Sequence, residues 1–260
     1  MGKCALLIHG MWGTSDVWRH WRAFLEARGW TVLTPALRHH KAPPLKAPPG
    51  LGMTGLDDYA GDLETLLRGL PEKPVIVGHS MGGLIALKLC ARGLARAGVL
   101  LTPAPPSSVL ALRMSNVLAF ARIERQWGWW RKPHRATLKE ALWHTFNTMD
   151  PREASRLHGS FVHDSGRALL EMGLPWLDRT AAARVAPADV AVPLLMVAAQ
   201  RDRLTPPSVV RHIAERFDGA EYSEYPGQGH WVLGQPGWQV VAADAAQWMD
   251  RQWQSSTSPN

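Results

Sequence analysis

The sequence predicts an α/β protein whose core is a mostly parallel sheet of about six strands with helices on both faces. Short apolar runs of strand length alternate with stretches whose apolar residues recur at helical spacing. This alternation is typical of parallel strands joined by right-handed helical crossovers. The chain of 260 residues is long enough for one substantial core with a small insertion. Its 46% apolar and 20% charged residues are typical of soluble globular proteins.

The predicted strands are mostly continuous apolar runs, the pattern expected for strands that are covered on both faces. The six runs lie at residues 4–9, 31–34, 75–77, 98–101, 193–198 and 222–225. In open α/β sheets, ligands bind beyond the carboxyl ends of the strands. The loops that follow these runs are therefore where functional side chains are expected.

Amphipathic helices are predicted between the strands. Ser15 or Asp16 can cap the first, which Gly29 ends. Further helices are predicted over residues 56–70, from 84 to about 93, and over the last apolar stretch, 240–249.

Residues 35–54 are rich in proline and glycine and show no periodicity, which predicts a long surface or functional loop. His39, His40 and Lys41 lie in this loop. A metal site would need further ligands at suitable spacing, and the sequence offers none. We interpret these residues as part of a solvated, basic loop.

The pattern changes after residue 104. Residues 105–184 contain no convincing strand, and helical stretches around 109–123, 137–147, 152–163 and 165–172 are interrupted by Pro133, Pro151 and Pro175. We predict that residues 1–104 form the first part of the core and residues 185–260 the second. Residues 105–184 then form an inserted helical cap over the carboxyl edge of the sheet.

The composition indicates the cellular compartment of the protein and limits the classes of partner it is expected to bind. Two cysteines, Cys4 and Cys90, cannot form a disulfide framework, so we interpret both as small buried apolar groups in a reducing compartment. No secretory signal or membrane-length apolar stretch is visible, which predicts a cytoplasmic protein without stable membrane insertion. The net charge of +7 is spread over separate elements, so no nucleic-acid partner is predicted. The sequence carries no signal for the oligomeric state.

A G-x-S-x-G motif follows the third apolar run, with Ser80 between Gly78 and Gly82. A helix-prone run comes next, so the motif lies in a strand–turn–helix context. Such a turn presents the serine hydroxyl at the carboxyl end of a strand, which predicts that Ser80 is a nucleophile. The alternative is an ordinary turn with a solvated serine.

A serine nucleophile needs a general base, and the base needs an orienting group. Asp202 lies just beyond the fifth predicted strand, and His230 lies in a loop with glycines beyond the sixth. Strand ends on one sheet edge would therefore bring Ser80, Asp202 and His230 together. His230 could instead be a turn histidine. Asp202 could cap a helix, with another carboxylate as the acid.

An oxyanion formed on the substrate needs preorganised N–H donors. The backbone N–H of Met81 is one predicted donor. The second is expected in the loop after the first strand, with Met11 preferred and Trp12 second. The His9 side chain is expected to brace this loop. Trp12 and Trp231 flank the loop and the base, so we expect at least one of them to line the substrate pocket; core packing is the alternative.

With these motifs the chain resembles the α/β-hydrolase superfamily, in particular small esterase-like members with a helical cap. The residues that carry the resemblance are His9–Gly10, Gly78–His79–Ser80–Met81–Gly82–Gly83, Asp202 and Gly229–His230. The resemblance implies hydrolysis of carboxylic esters through an acyl-enzyme on Ser80, without a cofactor. Family members often begin with two extra antiparallel strands, but the first predicted strand here starts within a few residues of Met1, so we expect a reduced sheet of about six parallel strands. Relatives that open epoxides or remove halogens carry aspartate where this chain has Ser80.

The substrate is expected to be a small or medium apolar ester. The same three residues could also serve a thioesterase, a C–C bond hydrolase or an acyltransferase, and a binding protein on the hydrolase frame is a further alternative. Residues 126–133 interleave aromatic and basic side chains. They indicate packing within the cap, an apolar lid that recruits hydrophobic esters or touches a lipid surface, or base stacking.

Overall fold

A six-stranded parallel sheet forms the centre of the molecule. The computed structural model describes residues 2–109, 120 and 122–255. Its strands are β1 (Lys3–Ile8), β2 (Trp30–Leu33), β3 (Val75–His79), β4 (Ala97–Leu101), β5 (Pro133–His134), β6 (Asp164–Ser165), β7 (Leu194–Ala199) and β8 (Glu221–Tyr225). Six of them pair in the order β2-β1-β3-β4-β7-β8, and every neighbouring pair is parallel. The predicted fold class is confirmed.

Helices of more than one turn lie between the strands and after the last one. They are α1 (Arg19–Glu26), α2 (Leu56–Arg68), α3 (Met81–Ala91), α4 (Leu138–His144), α5 (Pro151–Gly159), α6 (Gly166–Gly173), α7 (Pro207–Ala214) and α8 (Trp238–Ser255). Short 3₁₀ turns lie at Ser15–Trp18, Leu51–Met53, Trp129–Arg131, Pro175–Leu177 and Pro187–Asp189.

Alternate residues of each central strand enter two separate cores, one on each face of the sheet. Leu7 of β1 belongs to the core that contains Trp21 of α1 and Trp248 of α8. Leu6 of the same strand belongs to the core formed with α2, α3 and α7. Because side chains alternate across a strand, two covered faces require apolar residues at every position. This explains the continuous apolar runs of the sequence.

Residues 105–184, which we call the inserted segment, lie between β4 and β7. Their described part contains α4, α5 and α6, as the helical spacing predicted. The prediction of no strand here was wrong for two short pieces, because β5 and β6 pair antiparallel. Two-residue strands leave no periodic signal. The predicted helix at 109–123 falls mostly outside the described residues; residues 120 and 122–124 are helical.

The solvated interpretation of the loop at 35–54 was wrong for His40. This side chain is buried, with only 1% of the residue exposed, and it contacts Asp164 of β6. The two residues are 124 positions apart, so no local pattern links them.

Two further expectations concern single features. Cys4 and Cys90 are both free; Cys90 is buried as expected, whereas Cys4 is only half-buried. Within residues 2–109, 120 and 122–255, no helix has the length and apolar character needed to cross a bilayer.

Candidate active site

Ser80 lies at the sharp turn between β3 and α3, with φ 55° and ψ −120°. A positive φ is uncommon for a residue other than glycine and is kept only where the surroundings fix it. Here the Ser80 N–H donates to the carbonyl of Leu101, and the Ser80 carbonyl accepts from the N–H groups of Gly83 and Ala104. The backbone of the serine is therefore held from both sides.

Two glycines let this turn pass close to its neighbours. A Cβ on Gly78 would overlap the backbone carbonyl of Gly82, and a Cβ on Gly82 would overlap the carbonyl of Ile8 in β1. The G-x-S-x-G spacing thus reflects close backbone packing on both sides of Ser80.

His230 and Asp202 form a buried pair. Nδ1 of His230 lies 2.7 Å from Oδ2 of Asp202, and the two side chains are 3% and 0% exposed. Asp202 also accepts hydrogen bonds from the N–H groups of Leu204 and Thr205 and from the Thr205 hydroxyl. Burial raises the pKa of Asp202, but the charge and hydrogen bond of His230 and the bonds from Thr205 outweigh it, so the pKa is lowered.

The ionised carboxylate therefore accepts the Nδ1 proton of His230. This leaves Nε2 of the imidazole as the nitrogen that can accept a proton.

His79, which precedes the serine, holds the backbone of His230. Its Nε2 donates to the His230 carbonyl at 2.9 Å, and the Thr102 hydroxyl lies 3.4 Å from the same oxygen. Burial, and then the neighbouring His230, lower the pKa of His79 to about 3, so it is neutral at ordinary pH. Sequence reasoning missed this role, because the position between Gly78 and Ser80 carries no pattern of its own.

The loop after β1 approaches the serine closely. A Cβ on Gly10 would lie 2.9 Å from the Cβ of Ser80. The Trp12 N–H donates to Oδ2 of Asp164 at 2.9 Å, so it is already used. The N–H of Met11 has no partner among the described residues, and that of Met81 begins α3. Of the expected donors, these two are available.

His9 braces this loop. Its Nδ1 donates to the carbonyl of Gly10 at 2.9 Å, and its Nε2 accepts from the N–H of Leu37 at 3.1 Å. Burial, and then the neighbouring His40, lower the pKa of His9 to about 3. Both ring nitrogens are occupied in a neutral imidazole, which agrees with the bracing role expected from the sequence.

One cleft joins most of the expected site residues. It has a volume of about 1200 Å³, including open solvent at its mouth, and its wall contains Ser80, His230, Met11 and Met81. Asp202 lies behind His230. Trp12 and Trp231 also line the cleft.

The inserted segment supplies much of the remaining wall of the cleft. The contributing residues are Pro105, Pro106, Val109, Phe120, Glu124, Thr145, Phe161, Leu169, Met172, Gly173, Leu174, Pro175 and Trp176. Most are apolar; Glu124 and Thr145 bring polar groups. Sequence reasoning placed none of them, because short helices separated by prolines do not show which side chains share a cavity.

Residues 5–243 match the model of the alpha/beta hydrolase family. The chain belongs to this family. The match spans β1 to the first part of α8 and includes the whole inserted segment.

Solved structures share the fold. A methylesterase from Arabidopsis superposes with a TM-score of 0.72 at 13% identity, covering 95% of this chain and 99% of that one. The monoacylglycerol lipase of Paleococcus ferrophilus has a TM-score of 0.70 at 19% identity, covering 96% and 94%. Tomato methylketone synthase I, solved with 2-tridecanone, has a TM-score of 0.70 at 17% identity, covering 97% and 99%. These three proteins have different names but share one fold.

Proposed function

We propose that this alpha/beta hydrolase is a serine esterase that cleaves carboxylic esters with small to medium apolar groups through an acyl-enzyme. The observation that carries the proposal is the shared cleft. Ser80, on a positive-φ turn, and His230, bonded to buried Asp202, line the same cavity. A nucleophile, a base and an orienting acid are the groups that acyl transfer needs.

In the first half-reaction the Ser80 hydroxyl oxygen attacks the ester carbonyl carbon while Nε2 of His230 takes the hydroxyl proton. Asp202 stabilises the imidazolium that forms. The N–H groups of Met11 and Met81 donate to the oxyanion. The C–O bond then breaks, His230 protonates the leaving alkoxide, and the acyl group stays on Ser80.

In the second half-reaction water replaces the alcohol. His230 takes a proton from water, the hydroxide oxygen attacks the acyl carbon, and the bond to the Ser80 oxygen breaks. His230 returns the proton to Ser80, and the carboxylic acid leaves.

The walls of the cleft support an apolar substrate. Apart from the catalytic groups and a few polar side chains, they consist of aliphatic and aromatic residues, many from the inserted segment. We propose that this segment acts as the cap of the enzyme and that Trp12 and Trp231 contact the substrate. Structural neighbours named as a methylesterase and a lipase agree with ester cleavage.

The experiment that tests the proposal is Ser80→Ala, assayed with p-nitrophenyl acetate and butyrate. Turnover should fall at least about a thousandfold, because loss of the nucleophile leaves only binding and oxyanion stabilisation. Ser208→Ala is the matched control, since Ser208 is exposed in α7 and does not line the cleft. It should keep full activity. Turnover by a folded Ser80→Ala variant at the control rate would overturn the proposal.

A matched pair of substrates tests which bond is cleaved. An oxyester and a thioester with the same acyl group are compared by kcat/KM. The proposal expects the oxyester to be hydrolysed at least as well as the thioester. A strong preference for the thioester would move the assignment to a thioesterase that uses the same three residues.

A further inference from the structure

A second buried histidine–carboxylate pair lies behind the loop that follows β1. Nε2 of His40 is 3.0 Å from Oδ2 of Asp164, and both side chains are fully buried. The other carboxylate oxygen, Oδ1, accepts from the Tyr59 hydroxyl at 3.1 Å and from the Ser165 N–H at 2.7 Å. Neither residue of the pair lines the catalytic cleft.

This pair is an ion pair and not a second acid–base couple. Nδ1 of His40 faces the carbonyl of Arg38 at 2.8 Å, and Nε2 faces the carboxylate of Asp164. Because both neighbours are acceptors, both ring nitrogens must donate, and the imidazole is charged. No nitrogen is left to take a proton from a substrate.

The pair is joined directly to the loop that approaches Ser80. Oδ2 of Asp164 accepts the N–H of Trp12 at 2.9 Å, and the carbonyl of Trp12 accepts the N–H of Val162 at 3.0 Å. Both backbone polar groups of Trp12 are therefore held by the inserted segment. Trp12 has φ 63°, a conformation that a large side chain adopts only when its surroundings enforce it.

We infer that Asp164 is a positioning residue for the oxyanion hole. Its carboxylate, which His40 holds at the same Oδ2 oxygen, fixes the Trp12 backbone and with it the position of the preceding residue, Met11, which lines the cleft. The inference rests on the proposed esterase function. It assigns to the inserted segment a part in stabilising the transition state, beyond its apolar wall.

The test is Asp164→Asn, compared on p-nitrophenyl butyrate and on the corresponding thionoester, in which sulfur replaces the carbonyl oxygen. Sulfur is a weak acceptor, so thionoester hydrolysis depends little on the oxyanion donors. Asparagine offers one acceptor oxygen where aspartate offers two and removes the charge opposite His40. Loss of a whole oxyanion donor costs about 10²–10³ in kcat. Because Asp164→Asn would displace the Met11 N–H and not remove it, we expect kcat on the oxyester to fall by less, about 10–100-fold. KM should change less than about threefold, and the oxo/thiono rate ratio should fall at least about fivefold.

Tyr59→Phe is the matched control. It removes a hydrogen bond to the other oxygen of the same buried carboxylate but leaves the bond to the Trp12 N–H. Its oxo/thiono ratio should stay within about twofold of the wild type. Titration with diethyl p-nitrophenyl phosphate counts the competent serines in every variant, so that loss of folded protein is not mistaken for a slower reaction.

His40→Gln carries the test if Asp164→Asn does not fold. Glutamine can still donate one hydrogen bond to Asp164 but brings no charge, so the ratio should fall in the same direction by a smaller factor. An equal fall on both esters, or an unchanged ratio in titrated enzyme, would overturn the positioning role. Neither result would contradict the esterase proposal, which is tested separately by the activity of Ser80→Ala.

Discussion

The described part of the chain contains two buried histidine–carboxylate pairs whose ring-to-carboxylate distances are similar. His230 lies 2.7 Å from Asp202, and His40 lies 3.0 Å from Asp164. They differ in the second ring nitrogen. The ring of His230 borders the cleft, and its Nε2 has no partner among the described residues, whereas Nδ1 of His40 is occupied by the Arg38 carbonyl. A buried pair can act as a base only where one nitrogen remains accessible.

The two carboxylates also hold different groups: one holds an imidazole ring and the other a backbone N–H. Asp202 fixes the tautomer of a ring that would move protons. Asp164 is bonded to a backbone N–H in the loop that would supply an oxyanion donor. The comparison predicts that damage to the first pair stops chemistry, while damage to the second weakens transition-state stabilisation.

Asp202→Asn gives the largest expected effect that tests this comparison. The variant should fold, but the amide can hold His230 in the wrong tautomer, with Nε2 protonated. We expect kcat to fall about 10⁴-fold, against about 10–100-fold for Asp164→Asn. Steady-state rates on p-nitrophenyl butyrate, corrected for titrated sites, measure both. Equal losses in the two variants would remove the distinction between the pairs.

The pair of His230 and Asp202 could be predicted from the sequence, because each residue follows a recognisable strand. Asp202 and His230 follow β7 and β8, and strand ends of a parallel sheet share one edge. The second pair has no such signal. His40 lies in a loop without period and Asp164 in a two-residue strand of the inserted segment, so their contact is set by tertiary packing alone.

The same reasoning explains what could be predicted of the cleft. The G-x-S-x-G turn places Ser80 through local backbone geometry, and the loop after β1 is located by the strand before it. The wall from the inserted segment depends on how short helices dock, which periodicity does not encode. Trp12 was foreseen as a lining residue, but its bond to Asp164 was not.

His40→Gln should show the pH signature of the second pair. Burial lowers the pKa of His40, but the charge and hydrogen bond of Asp164 outweigh it, so the pKa is raised. Burial raises the pKa of Asp164, but His40 and the backbone donors lower it overall. The stability from His40 is therefore full below the ordinary histidine pKa of about 6.5 and is lost as the pH rises through its raised value. That from Asp164 is full above the ordinary aspartate pKa of about 3.9 and is lost as the pH falls through its lowered value.

The melting temperature of His40→Gln should thus lie below that of the wild type by roughly 5–10 °C near pH 6, because one partner of a buried ion pair is removed. The gap should narrow in alkaline solution. Of the groups that face the His40 ring besides Asp164, His9 is neutral in this range, with its pKa lowered to about 3 by burial, and burial raises the pKa of Tyr59. A gap that stayed constant with pH would show that His40 is not charged in the folded protein.

Replacing Glu124 should give the smallest effect of these variants. It tests the contribution of the inserted segment to substrate preference, apart from that of the residues at the sheet edge. Glu124 lines the cleft, burial raises the pKa of its carboxyl, and among the described residues no cation pairs with it. When ionised, it should favour esters that carry a positive charge. A choline ester and its neutral 3,3-dimethylbutyl analogue have nearly the same shape, so their kcat/KM ratio isolates the charge.

Glu124→Gln should lower that ratio about threefold to tenfold, the effect of roughly 1 kcal/mol of partly screened attraction. In the wild type the ratio should rise with pH as the carboxyl ionises. Glu215→Gln makes the same change of charge on the exposed end of α7, outside the cleft, and should leave the ratio unchanged. If both variants lowered the ratio equally, the preference would come from the overall charge of the protein and not from the wall that the inserted segment contributes.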